Sequence, residues 1–312
     1  MAEDTVLVTG GAGFIGSHLV DRLVQEGHRV VVVDNLSTGR REHVNPRAAF
    51  YQVDITDPEL HGLLRRERPR WVSHHAAQSS VLVSVRDPLY DARVNILGSL
   101  NLLEACRAAG VEKVVFASSG GAIYGEPRYL PCDEAHPLQP LAPYGVSKVA
   151  VEKYLVLYQR SFGLPSVILR YGNVYGPRQD PYGEAGVVAI FTLAMLEGRR
   201  PVVFGSGEQE RDFLYVDDAV EANLHALKGA KEEAYNIGTQ QGVSVNRIFA
   251  LLKGIIGYEG GPQYSSPRPG EVFKVHLDNS LAAKGLGWSP RVGLEEGLVK
   301  TVEYFRHGIA SP

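Results

Sequence analysis

Short, β-branched apolar runs recur through the first half of the chain, at residues 5–9, 30–33, 50–53, 71–73, 114–117 and 167–169. Each is too short for a helix and too continuously apolar for a strand with one wet face, so the pattern predicts strands buried on both faces. Between them, apolar positions repeat at three and four over residues 14–26, 95–109 and 144–162, which predicts amphipathic helices. Strand alternating with helix at this rhythm predicts an α/β fold built on a doubly wound parallel sheet. Past about residue 171 the rhythm loosens into Gly176-Pro177-Arg178, Asp180-Pro181-Tyr182-Gly183 and Pro267-Arg268-Pro269-Gly270. A smaller C-terminal lobe is expected there, packed on the sheet domain around a shared cleft.

Composition narrows the class. With 312 residues, 44% hydrophobic and 21% charged, the chain can bury one large core or two ordinary ones. A net charge of -3 offers no basic field, so nucleic acid is not an expected partner. No apolar stretch approaches the ~20 residues that span a bilayer, and the acidic start Met1-Ala2-Glu3-Asp4 does not resemble a leader, so no membrane segment and a cytoplasmic location are expected. Cys106 and Cys132 sit in no disulfide framework or zinc spacing and read as reduced thiols. His74 and His75 belong to no metal-ligand pattern, so no metal is expected. The basic run Arg65-Arg66-Glu67-Arg68-Pro69-Arg70 reads as the solvated end of a helix, where positive charge suits the dipole.

The first strand runs into Gly10-Gly11-Ala12-Gly13-Phe14-Ile15-Gly16 and then a helix. Glycines in this spacing permit a tight turn, let a pyrophosphate approach backbone N–H groups, and aim a helix N-terminus at its charge. Alone the pattern marks no more than a tight strand-to-helix turn. The second strand, however, ends in Asp34, eighteen residues past Gly16, where a carboxylate accepts from ribose hydroxyls and repels a 2′-phosphate. Arg40 and Arg41 are nearby, yet Asp34 comes first at the strand tip, so NAD is favoured over NADP. Asp54 and Ile55 follow the third strand, at the sheet edge where such folds bind ligands.

Tyr144 and Lys148, in Pro143-Tyr144-Gly145-Val146-Ser147-Lys148, lie four apart and share one helix face. A phenol is a poor base at neutral pH, and a neighbouring ammonium is expected to lower the Tyr144 pKa. With the glycine loop and Asp34, these residues resemble the extended short-chain dehydrogenase/reductase superfamily, and within it the UDP-glucose (UDP-galactose) 4-epimerase family. The resemblance covers nearly the whole chain. It runs through Asp34-Asn35-Leu36-Ser37-Thr38-Gly39, Asp54-Ile55, His75-Ala76-Ala77, Asn95, the Tyr144/Lys148 pair and Arg170-Tyr171-Gly172-Asn173 to Arg211-Asp212 and Arg268-Pro269-Gly270.

The resemblance implies a Rossmann-like NAD-binding domain over residues 1–172 and a nucleotide-sugar-binding lobe mainly over 173–312, some segments of which return to the sheet domain. It implies a tightly held NAD touched by Gly10, Gly13, Phe14, Ile15, Gly16, Asp34, Asn35, Ser37, Thr38, Gly39, Asp54, Ile55, His75, Ala76, Ala77, Gln78, Asn95, Tyr144 and Lys148. It also implies a homodimer built from the helices at 95–109 and 144–162. Tyr144 is then the general base at the sugar 4-hydroxyl, and Lys148 holds the nicotinamide ribose. A third hydroxyl is implied after the fifth strand. Counting forward from that strand gives Ser119, whereas counting back from Tyr124-Gly125 gives Gly120, because the segment is one residue longer than usual; Ser119 is assigned, since a strand end fixes geometry better than a loop. Asn173, Arg211 and Arg268 match residues that contact the nucleotide-sugar diphosphate, a role suited to bidentate guanidinium groups.

The loop after the fifth strand bears on the reaction. Related dehydratases and decarboxylases carry an acid there, whereas Gly120, Gly121 and Ala122 cannot move a proton. The expectation is therefore an NAD-dependent epimerase that inverts C4 of a UDP-hexose through a transient 4-keto sugar, UDP-glucose/UDP-galactose being the simplest pair. UDP-N-acetylglucosamine, UDP-glucuronate or a dTDP-sugar are alternative substrates, and a catalytically silent NAD-binding regulator is the alternative of a different class. Two departures from the family touch the substrate. By spacing from Arg268, Val275 falls where some relatives carry a bulky tyrosine and is expected to leave room for N-acetylated sugars. Gly172 stands where many relatives have an aromatic residue.

Overall fold

The computed structural model describes residues 4–182, 186–229, 233–268 and 272–310. Residues 1–3, Gly183, Pro269 and Gly270 lie outside them. One parallel sheet comprises β1 (Thr5–Thr9), β2 (Arg29–Val33), β3 (Ala49–Tyr51), β4 (Trp71–His74), β5 (Lys113–Ser119), β6 (Ser166–Tyr171) and β7 (Ala234–Ile237), in the order β7-β6-β5-β4-β1-β2-β3. The order reverses at β1, which pairs with β2 on one side and β4 on the other. That switch point opens a crevice at the strand C-termini.

Alternate side chains of each strand go to opposite cores, which explains the continuous apolar runs. Val6, Val8, Val30 and Val32 pack with Leu19 and Leu23 of α1 (Phe14–Gln25), together with Val220, Leu224 and Leu227 of the later helix Val216–Gly229. Leu7, Val31 and Val33 face α2 (Glu59–Glu67), α3 (Gly98–Ala109) and α4 (Pro143–Phe162) through Leu60, Leu64, Leu102, Cys106, Val151 and Leu155. Each such side chain contributes about 1.5–3 kcal/mol by leaving water. The predicted strands all form. The one at 50–53 stops at Tyr51, and β5 and β6 run two residues further than predicted at their C-terminal ends. The helix expected from residue 95 begins as a π-helical turn, Arg93–Leu97, before becoming α-helical at Gly98. Arg65 and Arg66 do occupy the last turn of α2, which Arg68 ends in a left-handed conformation, φ 47°.

β7 is the strand that the apolar pattern does not reveal. It pairs in parallel with β6, Ala234 opposite Ile168, so chain beyond residue 173 extends the sheet. The rest of that chain packs the helices Val187–Leu196, Val245–Ile256 and Leu294–Ala310 through Phe191, Met195, Ile248, Leu252, Leu298 and Val302. A buried ion pair ties the parts together. Arg170 donates to Glu152 at 2.7 and 3.1 Å and to the Tyr124 hydroxyl at 3.0 Å, while Tyr124 donates to Asn236 of β7 at 2.6 Å. Removing one partner would leave a buried charge alone, at a cost of about 3–5 kcal/mol. Among the described residues, no helix is long and apolar enough to cross a membrane.

Candidate active site

A cavity of about 1100 Å³ runs from the crevice above β1 into the C-terminal lobe. Gly10, Gly13, Phe14, Ile15 and Gly16 line its first wall. Gly10 has φ +70°, and a Cβ there would lie 2.6 Å from the Ala76 nitrogen; one at Gly16 would lie 2.2 Å from the Gly10 carbonyl oxygen. α1 begins after Gly13; its first-turn N–H groups have no intrahelical acceptor and no side-chain cap, and the residues that carry them line the cavity. This is a cradle for an anion.

Asp34 is buried at the tip of β2. It accepts from the Ala12 N–H at 3.0 Å and the Leu36 N–H at 2.8 Å. Ser37 and Thr38 line the cavity beside it, whereas Gly39 packs behind, where a Cβ would meet the Asp34 carboxylate at 2.8 Å. Arg41 lies over the Phe50 ring, 4.4 Å from its centroid, and neither Arg40 nor Arg41 lines the cavity. Asn35 donates to Asp54 at 2.7 Å, and Asp54 also accepts from the Thr56 N–H and hydroxyl. Burial raises the Asp54 pKa, but these hydrogen bonds outweigh it and leave the carboxyl below its ordinary value.

At the end of β4, His75, Ala76, Ala77 and Gln78 form the opposite wall. His74 points inward and bonds Thr9 at 2.7 Å and Ser99 at 2.9 Å. Burial, reinforced by the positive charge of Lys148, pushes the His74 pKa down to about 3 and that of His75 to about 4. Asn95 does not line the cavity. Its side chain is buried, accepts from the Gln78 N–H and donates to the Gln78 carbonyl, both at 2.9 Å, and so braces the wall from behind.

Tyr144 and Lys148 sit on the first turns of α4, and Ser119 ends β5, all three facing the cavity. Pro143 starts α4 at a position where no N–H is needed. Lys148 donates to the Ala117 carbonyl at 2.8 Å and lies 5.7 Å from the Tyr144 ring centroid. Burial pushes Lys148 down to about 8, partly opposed by the charges of Asp91 and Glu152. Burial pushes Tyr144 up to about 12, partly offset by a hydrogen bond with Ser119 and reinforced by the negative charge of Asp91. The expected depression of the Tyr144 pKa is thus reversed by burial among the chain's own groups. Ser119 rather than Gly120 carries a side chain that reaches Tyr144; Gly120 opens a short helix, where a Cβ would meet Leu277 at 2.6 Å.

Asn173, Arg211 and Arg268 line the far end. Arg211 donates to the Glu210 and Phe273 carbonyls, and Arg268 stacks 4.1 Å from the Phe204 ring centroid. Gly172 lines the cavity where no side chain fits, because a Cβ would lie 2.7 Å from the Asp212 carbonyl oxygen. Val275 does not face the cavity. It is buried with Ile123, Tyr124, Cys132 and Leu277, and its N–H bonds the Glu210 carbonyl, so the room expected from it is not there; Val272 lines the wall instead. Gln179, Phe204 and Val272 also line the cavity without any sequence motif to announce them.

An α/β sheet with a glycine cradle, a Tyr-Lys-Ser set and two arginines over one cavity defines a class that similarity to known proteins makes specific. The chain belongs to the NAD dependent epimerase/dehydratase family, whose model matches residues 6–238, and within the extended short-chain dehydrogenase/reductase superfamily it falls in the UDP-glucose 4-epimerase family. It is similar to a putative UDP-glucose 4-epimerase of Methanocaldococcus jannaschii, 49% identical over 97% of this chain and 98% of the relative. The crystal structure of a Thermotoga maritima UDP-glucose 4-epimerase with UDP-glucose matches at 53% identity and TM-score 0.97, covering 98% and 99% of the two chains. That of a Thermus thermophilus UDP-glucose 4-epimerase complex with NAD matches at 49% and 0.92, covering 97% and 99%.

Proposed function

We propose that the chain inverts C4 of a UDP-hexose with NAD as a resident cofactor, UDP-glucose and UDP-galactose being the pair it interconverts. The observation that carries this reading is the meeting of Ser119, Tyr144 and Lys148 in one cavity with the glycine cradle and the two arginines. The cradle fits a dinucleotide, since Gly10 and Gly16 keep the loop folded in a turn too tight for any Cβ, with the first turn of α1 at the cavity, and Asp34 presents a fixed carboxylate at the ribose end. Gly10, Gly13, Phe14, Ile15, Gly16, Asp34 and the 75–78 wall would hold NAD. Bound there, it supplies a reversible hydride acceptor whose oxidised ring carries a positive charge that favours a phenolate.

The chain's own groups handle the proton. Tyr144 takes the proton of the sugar 4-hydroxyl and returns it, and Ser119 holds the same hydroxyl in line. Lys148, largely protonated at pH 7, adds positive charge beside the phenol. Arg211 and Arg268 grip the diphosphate, leaving the hexose to turn over and present its other face. Gly120, Gly121 and Ala122 offer no acid for elimination, which favours epimerisation over dehydration. A homodimer through the exposed faces of α3 and α4 belongs to the same reading.

The test is a product assay with purified protein and no added NAD, with UDP-galactose and UDP-N-acetylgalactosamine in separate tubes. UDP-glucose appears in the first tube. Conversion in the second would extend the substrate range to N-acetylated sugars, for which Val275, turned into the core, makes no room. Failure in both tubes after NAD is supplied overturns the UDP-hexose assignment, and the silent-regulator reading then gains ground.

A further inference from the structure

Asp91 lies in the short helix Pro88–Ala92 and is wholly buried. One carboxylate oxygen accepts from the Gln78 side-chain amide at 2.8 Å and from Asn95 at 2.9 Å. The other accepts from the Ser147 hydroxyl at 2.6 Å. Ser147 is itself buried and precedes Lys148 on α4, while Gln78 belongs to the cavity wall. Three separate pieces of chain therefore converge on one side chain that does not line the cavity.

Every partner of Asp91 donates, which suits a group that only accepts. Its charge has no ion-pair partner among the described residues, although a buried carboxylate ordinarily requires one. The ionisable groups around this region are Tyr144, Lys148 and Glu152 on α4 and His74 and His75 at the end of β4; Tyr90 on the same short helix and Arg86, Asp87 and Arg93 on the neighbouring turns are exposed. Glu152 is already committed to Arg170. The cation left to answer Asp91 is Lys148, which its negative charge helps keep protonated.

We propose that Asp91 is a positioning residue of the epimerase site, clamping the Gln78 wall to the start of α4 and setting a fixed negative charge behind the Tyr144–Lys148 pair. The clamp keeps the two walls of the cavity in register. The charge works against the burial that lowers the Lys148 pKa and so keeps more of the side chain as ammonium near neutral pH. This role rests on the epimerase reading only for its consequence in turnover, because the electrostatic part can be measured without substrate or cofactor.

The chain has nine lysines, so carbon-13 labelling of the lysine side chains resolves by NMR the one that titrates near 8, and loss of that signal in Lys148→Arg assigns it. Asp91→Asn deletes the charge, and the Ser147 hydroxyl can turn to accept from the new amide. The Lys148 midpoint is expected to fall by about one pH unit, and the alkaline limb of kcat/KM to fall with it. Ser147→Ala strips one donor from the carboxylate and leaves its charge less satisfied, so the midpoint moves upward. A purely structural Asp91 would lower kcat/KM in both variants and move neither midpoint, which would overturn the proposal. If Asp91→Asn does not fold, Ser147→Ala decides alone: a rise supports the charge and an unmoved midpoint overturns it. Absence of native turnover on UDP-galactose, with the NMR shifts as expected, would instead remove the epimerase reading and leave the electrostatic assignment standing.

Discussion

The Asp34 carboxylate and the Ala12 N–H, twenty-two residues apart, are joined by a 3.0 Å hydrogen bond that fastens the tip of β2 to the glycine loop. The second oxygen of Asp34 is held by the Leu36 N–H, so the carboxylate cannot swing away from whatever occupies the cradle. A 2′-phosphate placed there would meet a fixed negative charge in a partly dry site. Asp34→Ser is expected to weaken NAD binding at least about tenfold, or ~1.4 kcal/mol, and to narrow the preference for NAD over NADP. Calorimetric titration of both dinucleotides into protein stripped of its cofactor measures this, and an unchanged ratio would refute it.

Glycines in this chain serve opposite ends, and substitution separates them. At Gly16 a Cβ would sit 2.2 Å from a backbone oxygen, which cannot give way without opening the turn. Gly16→Ala is expected to cost about a hundredfold or more in dinucleotide affinity, the loss of close backbone approach being the cause. Gly62 and Gly254 are exposed in helix interiors, and an added Cβ at either would have nothing within 4 Å. Alanine at either should raise stability by about 0.5–1 kcal/mol, read as a higher urea midpoint with activity intact.

Local rules made much of this molecule legible. Valine runs flanked by glycine and charge located β1 and β2, because a strand buried on both faces has no alternative to apolar side chains. The glycine spacing, Asp34 and the Tyr144/Lys148 pair lie within short stretches where chemistry and backbone are fixed together. What was not legible depends on contacts distant in sequence. β7 reads Ala-Tyr-Asn-Ile, too brief and too polar to declare itself, and its place follows from pairing with β6 and from Asn236 meeting Tyr124. Counting forward from Arg268 pointed to Val275, but count says nothing about which way a residue faces; the Glu210 carbonyl bonds its N–H and turns it into the core. Asn95 was reached through resemblance, yet its work as a brace behind Gln78 shows only once the π-helical turn is seen. The direction of the Tyr144 pKa is hidden from the sequence for a related reason: burial is a property of the whole fold, and here it raises the phenol, with the Asp91 charge adding to it.

The helices around the Tyr-Lys pair present an apolar outer surface. Leu89 is 78% exposed and Leu97 60%, while Val146, Leu157 and Phe162 on α4 are about half exposed. Two copies meeting along α3 and α4 would cover these side chains. Sedimentation equilibrium is expected to give twice the chain mass, and Leu97→Glu combined with Leu157→Glu to give a monomer, since two buried charges per subunit would oppose association. A native protein that sediments at the mass of one chain would overturn the dimer.

His74 makes the fold sensitive to acid in a direction that can be worked out in advance. Burial first, and then the charge of Lys148, hold its folded pKa at about 3, against 6.5 for an exposed imidazole. Between those values the unfolded chain binds a proton that the folded one refuses, so stability falls as pH drops below about 6.5 and goes on falling to about 3. The slope from this residue reaches ~1.4 kcal/mol per pH unit, or about 2 kcal/mol between pH 6.5 and pH 5. His74→Asn keeps a polar group able to bond Thr9 and Ser99 but cannot take up the proton. Urea unfolding at a series of pH values should therefore show the variant's stability declining less steeply with acid than the native protein's, the slopes differing by about one proton over that interval. Parallel curves would mean that His74 gains its proton while the fold is still intact, and that the imidazole is less sealed from water than its two hydrogen bonds imply.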